Sequence, residues 1–342
     1  MWITFKYQLL PSKEQKRTLD LCFHGNRKVF NHHMAKVKKG QFFDINKASK
    51  DLPQLTDKYK WLRKIPTTIL EGSLKILKSN LRRKDMAFMA NKNKQTMNVP
   101  KITIEDQRVF FYGLKKPIKM NMHRPIKGNV RFAKITKQNN KYFICIYCST
   151  SGDQLERTGK KVGIDVGLKD FATLSTGKKI SNDRQLEKIQ KKMSFYYGQL
   201  HKLDQNTAKA KKILDKMSRL AIRIHNRRHD RLHKISTYMV QEFDAIAVED
   251  LDLKQMISAG GMKLSLRSAG LGKFFKQLAE KAAFHGRRLV KADRWFPSSK
   301  KCNSCGEVNK DLKLSQRQWE CPSCNTVLHR DLNASKNLED LI

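Results

Sequence analysis

Two Cys-x-x-Cys pairs constrain this chain more than any other feature. Cys302/Cys305 and Cys321/Cys324 are separated by fifteen residues within CNSCGEVNKDLKLSQRQWECPSC, the spacing of a four-thiolate zinc ribbon. Each tight turn aims two sulfurs at one point, and four thiolates satisfy tetrahedral Zn²⁺ without leaving an open coordination position. The zinc expected here is structural: it holds a knuckle and takes no part in a reaction. Seven residues after the last cysteine comes Asp331, in HRDLNASKNL, where a helix begins. A carboxylate beside a helix N-terminus is stabilised as the anion. Taken alone, Asp331 reads as an ordinary capping residue; with other acids converging on it, it becomes a cation ligand.

The charge balance decides what kind of partner to expect. Lys and Arg number 71 against 31 Asp and Glu, a net charge of +40 over 342 residues. Such an excess repels itself in a compact protein and becomes tolerable once a polyanion neutralises it, which points to nucleic acid. No stretch approaches the ~20 apolar residues of a membrane span. The N-terminal MWITFKYQLLPSK lacks the basic and apolar regions of a secretory signal, so an intracellular location is expected. The remaining cysteines, Cys22, Cys145 and Cys148, are odd in number and make no complete disulfide framework. Cys145 and Cys148 form a third Cys-x-x-Cys, but YFICIYCST has no Gly or Pro for a knuckle, and they read as packed thiols.

Along the chain, WITFKYQL over 2–9 alternates as a strand, and Pro11-Ser12 stops it and starts a helix from Lys13 to about Lys38. A second helix is expected over Thr67 to Met89. From Met97 the period changes: VPKITIE, RVFFYG, NVRFAKITK and KYFICIYC are alternating, β-branched and aromatic, with a hairpin turn at 137–140. They predict a small barrel or strongly bent sheet that the N-terminal strand joins. The polar 151–160 marks a domain boundary. In KVGIDVGLKDFATLSTGKKI, Val162, Ile164 and Val166 share one strand face while Gly163, Asp165 and Gly167 share the other. The glycines are expected to leave space around the Asp165 carboxylate for a metal ion with bound phosphate, and two further strands complete a meander. A long helical hairpin follows over about 183–243, with its turn expected at Gln205-Asn206-Thr207. In it His225, His229 and His233 recur four apart, but the arginines around them oppose metal binding and favour a basic, nucleic-acid-facing surface. Ala245 to Val248 reads as a buried strand with Glu249 at its C-terminal end. ISAGGMKLSLRSAGLG is Gly- and Ser-rich and is expected to be mobile; then come a helix over 272–285, a strand over 287–292, and the ribbon from Phe296-Pro297.

Asp165, Glu249 and Asp331 thus sit 84 and 82 residues apart, and only a folded sheet can unite them. Strand meander, central strand and terminal helix, in that order, match an α/β ribonuclease H-like core of the RuvC type. Hard carboxylate oxygens suit Mg²⁺ or Mn²⁺, and two such ions about 4 Å apart can drive in-line hydrolysis of a phosphodiester.

GIDVGLKDFATLS, AVEDLDLKQM, RWFPSSKKCNSCGEV, LSQRQWECPSC and RDLNASKN, in this order, resemble the TnpB family of transposon-encoded RNA-guided DNA endonucleases. YQLLPSKEQK and FNHHMAKVKKG resemble that family's opening, so the likeness spans nearly the whole chain. It implies that Asp165, Glu249 and Asp331 are catalytic and bind Mg²⁺, that Cys302, Cys305, Cys321 and Cys324 bind Zn²⁺, and that the partners are a structured guide RNA and target double-stranded DNA with a short adjacent motif. The implied division is 1–10 with 95–155 as a wedge-like β module, 11–94 as a helical recognition region, 156–342 as the nuclease domain, and 297–329 as the inserted ribbon. The implied place of work is the cytoplasm of a bacterium or archaeon, at the nucleoid. The family commonly has an acid just ahead of the Arg-Asp pair, where this chain has His329. Arg317, in the ribbon loop, is a candidate for reaching the scissile phosphate or for binding the nucleic-acid backbone. A transposase acting directly on DNA, and a guide-directed binding protein that no longer cuts, are the alternatives; the presence of all three acids argues against the latter.

Overall fold

The computed structural model describes residues 1–89, 94–167, 169–204, 207–252, 270–313 and 315–342. It divides into two compact units, Met1–Ser151 and Gly152–Ile342. Among the described residues no helix is long and apolar enough to cross a membrane.

The first unit opens with strand β1 (Trp2–Leu10) and helix α1 (Lys13–Lys38). Ser12 caps α1 through a reciprocal capping box with Gln15, which satisfies two otherwise orphaned backbone donors. Short helices α2 (Ile45–Lys50) and α3 (Leu52–Lys58), a 3₁₀ turn at Lys60–Lys64 and helix α4 (Thr67–Arg82) follow. The helix expected to reach Met89 therefore stops at Arg82. Lys84 takes a left-handed backbone with φ of 58°, the Lys84 and Asp85 amides close onto Leu81 and Asn80, and the Met89 amide is held by Asn31 Oδ1 at 2.8 Å. The apolar residues past Lys84 continue the helical spacing only by coincidence.

Strands β2 (Lys94–Val99), β3 (Thr103–Glu105), β4 (Arg108–Phe110), β5 (Ile118–Asn121), β6 (Asn129–Gln138) and β7 (Lys141–Ser149) complete the unit. The expected barrel-like module takes the form of a seven-stranded antiparallel sheet ordered β2-β6-β7-β1-β5-β4-β3. Asn139 and Asn140, at φ of 47° and 60°, make the two-residue turn that suits the right-handed twist of a hairpin. One sheet face, including Phe5, Tyr7, Ile135, Ile144 and Ile146, is buried in one core with Leu19, Cys22 and Phe23 of α1. Cys148 belongs to that core while Cys145 is half-buried on the opposite face, so the pair forms no knuckle.

The second unit carries a five-stranded sheet. Its strands are β8 (Lys161–Val166), β9 (Asp170–Leu174), β10 (Lys179–Ser181), β11 (Ala245–Val248) and β12 (Arg288–Lys291), in the order β10-β9-β8-β11-β12. The first three are antiparallel neighbours, and β8-β11-β12 are parallel. Between β10 and β11 run α5 (Arg184–His201) and the 35-residue α6 (Ala208–Glu242). Of the expected hairpin turn, Gln205 and Asn206 lie outside the described residues, and Thr207 caps α6. Most of the glycine- and serine-rich 257–272 also lies outside them.

Helix α7 (Leu271–His285) precedes β12. Val162, Ile164 and Phe171 pack on Leu232, Met239, Phe274 and Leu278 of α6 and α7, each fully buried side chain contributing about 1.5–3 kcal/mol. The C-terminal helix α8 (Arg330–Glu339) packs through Leu338 with Ala247 and Ala292. A sheet enclosed by helices on both faces has apolar strands on both sides, which is why Ala245–Val248 reads as a continuous apolar run.

Candidate active site and metal centre

The parallel register Val162↔Ile246 and Ile164↔Val248 carries forward by one residue to bring Glu249 beside Asp165 on the neighbouring strand. Asp331 arrives from α8. A Cβ built on Gly163 would lie 1.9 Å from Ser335 O and 2.5 Å from Glu339 N, so the α8 backbone rests directly on β8 at this glycine. Asp165 is two residues along the strand from Gly163, on the same face, and Asp331 is about one helical turn before Ser335. The close approach therefore sets the two carboxylates side by side. This corrects the expected role of Gly163: its missing side chain makes room for a helix, whereas the space had been assigned to a metal and phosphate.

The electrostatics report the same convergence. The Asp165 carboxyl is pushed well above the usual carboxylate range, first by its dense protein environment and then by the negative charges of Glu249 and Asp331, with Arg330 and Arg317 opposing. Like charges held together in this way need a cation to coexist. Glu249 Oε1 accepts a hydrogen bond from Ser298 Oγ, and Arg317 Nη1 donates to Asp331 Oδ1 at 3.0 Å. The Arg317 side chain is half exposed, so its cation reaches the carboxylates from the solvent side. His329 occupies the N-cap position of α8 but makes no side-chain cap; its Nε2 lies 3.5 Å from Lys179 Nζ.

The ribbon grows out of the same helix. Strands β13 (Gln318–Glu320) and β14 (Val327–His329) pair antiparallel, and β14 runs without a break into α8. Cys302 Sγ and Cys324 Sγ are 3.7 Å apart, and Cys305 Sγ and Cys321 Sγ 3.5 Å. All four sulfurs lie within 4.8 Å of one another. Sulfurs 2.3 Å from a tetrahedral Zn²⁺ sit about 3.8 Å apart, so the donor set fits that ion. Hydrogen bonding with Thr326 lowers the pKa of the Cys324 thiol, while that of Cys305, though lowered by the Glu307 backbone, is raised on balance by burial and the other three cysteines. Among the described residues these cysteines are the group of three or more metal-ligand side chains gathered this tightly. The rings of His225, His229 and His233 instead succeed one another along α6 at 6.0 and 4.4 Å.

Four residues that connect the two centres, Ser298, Asn303, Asn333 and Asn337, escaped the sequence reading. Asn333 and Asn337 are buried on α8. Asn333 Nδ2 donates to Lys301 O at 2.7 Å, and Asn337 Nδ2 to Ser298 O and Lys301 O at 2.8 and 2.6 Å. Asn303 N donates back to Asn333 Oδ1 at 2.9 Å. Ser298 thus receives α8 through its carbonyl and holds Glu249 through its hydroxyl. The available signal was a pair of asparagines four apart in a short helix, where their poor helix propensity calls for a reason.

Comparison with known proteins defines the class first. Residues 135–259 match the OrfB_IS605 family profile, described as "Probable transposase", and residues 272–338 match the profile of the Cas12f1-like TNB domain. Over these stretches the chain is similar to the TnpB/OrfB_IS605 family and to the Cas12f1-like TNB domain. A Streptomyces pristinaespiralis protein provisionally named an RNA-guided DNA endonuclease is 27% identical over 98% of this chain and 88% of its own length. InsQ of Escherichia coli, with the same provisional name, is 26% identical over 98% and 90%. A Cas12f1 chain solved with single-guide RNA and target DNA aligns over 99% of both chains at 14% identity, with a TM-score of 0.41.

Proposed function

We propose that the chain is an RNA-guided DNA endonuclease encoded by an insertion-sequence transposon, hydrolysing target phosphodiesters at Asp165, Glu249 and Asp331. The observation that carries the reading is the convergence of these acids from two parallel strands and the C-terminal helix, expressed in the raised proton affinity of Asp165. The sheet order β10-β9-β8-β11-β12, with antiparallel and parallel halves joined at β8, supports a ribonuclease H-like core of the RuvC type. The names of the full-length relatives support guide dependence.

Asp165, Glu249 and Asp331 would hold Mg²⁺ or Mn²⁺, which would supply activation of an attacking water and charge stabilisation at the leaving oxygen. The protein's own part is positioning. Ser298 fixes the Glu249 carboxylate, and α8, clamped by Asn333 and Asn337, fixes Asp331. Arg317 pairs with Asp331 and lies where it can exchange that carboxylate for a substrate phosphate. The cysteine ribbon with its Zn²⁺ holds the base of α8. Pairing between guide and target reads most of the sequence, while the basic N-terminal unit grips the RNA scaffold and the motif beside the target. The enzyme works in the cytoplasm, at the nucleoid.

The test is to purify the protein with its nucleic acid, sequence the RNA, and offer a DNA target matching its variable end. Mg²⁺-dependent cutting that disappears in Asp165→Ala, with target binding kept, is expected. An RNA-free protein that cuts defined transposon ends would instead establish a transposase acting directly on DNA, the reading favoured by the description of the OrfB_IS605 profile. Cleavage unchanged in Asp165→Ala would overturn the site.

A further inference from the structure

The turn that follows β12 carries a side chain that neither the core nor the acids account for. β11 and β12 run parallel to their ends, where the Ala292 amide donates to Val248 O at 2.8 Å, so Glu249 and Asp293 leave the sheet at the same C-terminal edge. Open α/β sheets place their ligands at that edge. Two residues past Asp293 stands Trp295, 85% exposed, while its neighbour Phe296 packs in the cluster of Ala247, Ala292 and Leu338. The chain takes one ring into the core and turns the other outward.

The outward ring sits on a tied turn. The Trp295 amide donates to Asp293 Oδ1 at 2.8 Å, and the Phe296 amide to Asp293 O at 3.0 Å. On one side of it Arg294 pairs with Asp252, in the segment after Glu249, at 3.5 Å. On the other, Ser298 Oγ donates to Glu249 Oε1. Three residues span at most about 11 Å, so Trp295 is kept within that reach of the serine that holds Glu249. An indole can bury about 150–250 Å², yet among the described residues Trp295 belongs to none of the hydrophobic clusters of this unit. A polar residue would serve the turn as well.

The neighbouring acids select the partner. Asp165, Glu249 and Asp331 can act on a flexible strand only if one of its phosphates is stopped at them. Contacts to phosphates cannot choose between successive phosphates, which are alike along the strand. A flat ring can, because a base stacked on it fixes the strand to the nearest nucleotide, whatever the base. Arg294 and Lys291 are paired with Asp252 and Asp250, which leaves the ring face, rather than charge, as what this turn offers. A duplex hides its base faces in its own stack, so the base must belong to an unpaired strand.

We infer that Trp295 is a positioning residue: it stacks on an unpaired base of the target DNA beside the scissile phosphate and so sets which phosphate enters the three carboxylates. This assignment rests on the cleavage reaction proposed above.

The test uses the full chain with its guide RNA and a matching DNA target. Trp295→Ala should lower the single-turnover cleavage rate by about 5- to 150-fold, the worth of one stacked base, and spread the cut over neighbouring phosphates. Target affinity and its salt dependence should stay as in wild type, and Trp295→Phe should restore a single cut. An abasic nucleotide moved through the positions around the cut should reproduce the loss at one position in wild type and add nothing there in Trp295→Ala, the non-additivity of direct partners. The same cut at the same rate in Trp295→Ala, or additive losses at every abasic position, would overturn the role of Trp295 and leave the nuclease reading intact. A wild type that cuts no matching target counts against that reading instead. In that case, or should Trp295→Ala misfold, photocross-linking of wild type decides: with Ca²⁺ in place of Mg²⁺, targets carrying 5-iododeoxyuridine at successive positions should give adducts on Trp295, and adducts confined to other residues would refute the contact.

Discussion

Gly163→Ala adds one methyl group on the sheet face that receives α8, and its consequences can be worked from the geometry. The new carbon would meet Ser335 O at 1.9 Å and Glu339 N at 2.5 Å. An ordinary carbon to oxygen approach is about 3.4 Å, so α8 must retreat by roughly 1.5 Å or β8 must bend away. Both obstacles are main-chain atoms of a hydrogen-bonded helix, which cannot rotate aside as a side chain would. Overpacking of this kind costs about 1–3 kcal/mol, which the unit can survive. The site is less tolerant: Asp331 rides on α8 about one turn away, and misplacing a catalytic group by about 1 Å can cost on the order of 100-fold. The expected result is target cleavage reduced by about 100-fold or more in single-turnover assays, with RNA content and target binding retained. Gly198→Ala is the control, since a Cβ there meets nothing within 4 Å; on an exposed stretch of α5 it should leave cleavage unchanged and raise stability by about 0.5–1 kcal/mol. Cleavage by Gly163→Ala at the wild-type rate would refute both the packing argument and the placement of Asp331.

Further expectations rest on the same contacts. Asp165 has its folded pKa raised, so its ionised form opposes folding of the metal-free protein; the penalty develops as pH rises above the unfolded value near 4. Asp165→Asn should therefore melt higher than wild type in zinc-loaded protein without added Mg²⁺ or Mn²⁺ at neutral pH, with the gain shrinking toward pH 4, while abolishing cleavage; an equal or lower melting point at neutral pH would contradict the electrostatics. Asn337→Leu removes the side-chain donor to the Ser298 carbonyl and one of the two to Lys301 O, leaving the latter to Asn333, and should cost about 1–3 kcal/mol, measurable by urea unfolding. Cys302→Ser, or zinc chelation, should release bound zinc and lower cleavage far more than RNA binding, because the ribbon supports α8; full activity in a zinc-free preparation would exclude that role. Asp244 is held ionised by hydrogen bonds from the Thr158 and Gly159 amides and by Arg287. Its depressed pKa supplies stability above the unfolded value that is lost as pH falls through the folded one, so Asp244→Asn should flatten the acid limb of the unfolding profile.

Spacing along the chain carried the local chemistry. The cysteine ribbon was legible because ligand spacing within a short loop survives any arrangement of the rest. The meander around Asp165 and the apolar run before Glu249 were legible because strands write their burial directly into alternation and composition. α4 was overextended to Met89 because the apolar residues after Lys84 are kept by contacts with α1, and no helical period distinguishes the two causes.

The ribbon, the strong basic character, and the identity and order of three acids on a meander, a buried strand and a terminal helix can be read from the chain. That Gly163 is a seat for α8, that Ser298 and Asn337 tie Glu249 to that helix, and that Arg317 falls on Asp331 emerge from the folded arrangement. The reason is physical. Periodicity and ligand spacing are properties of neighbours in the chain, whereas a close approach between backbones, or a hydrogen bond between residues 39 or 49 apart, exists only once the sheet has placed its helix.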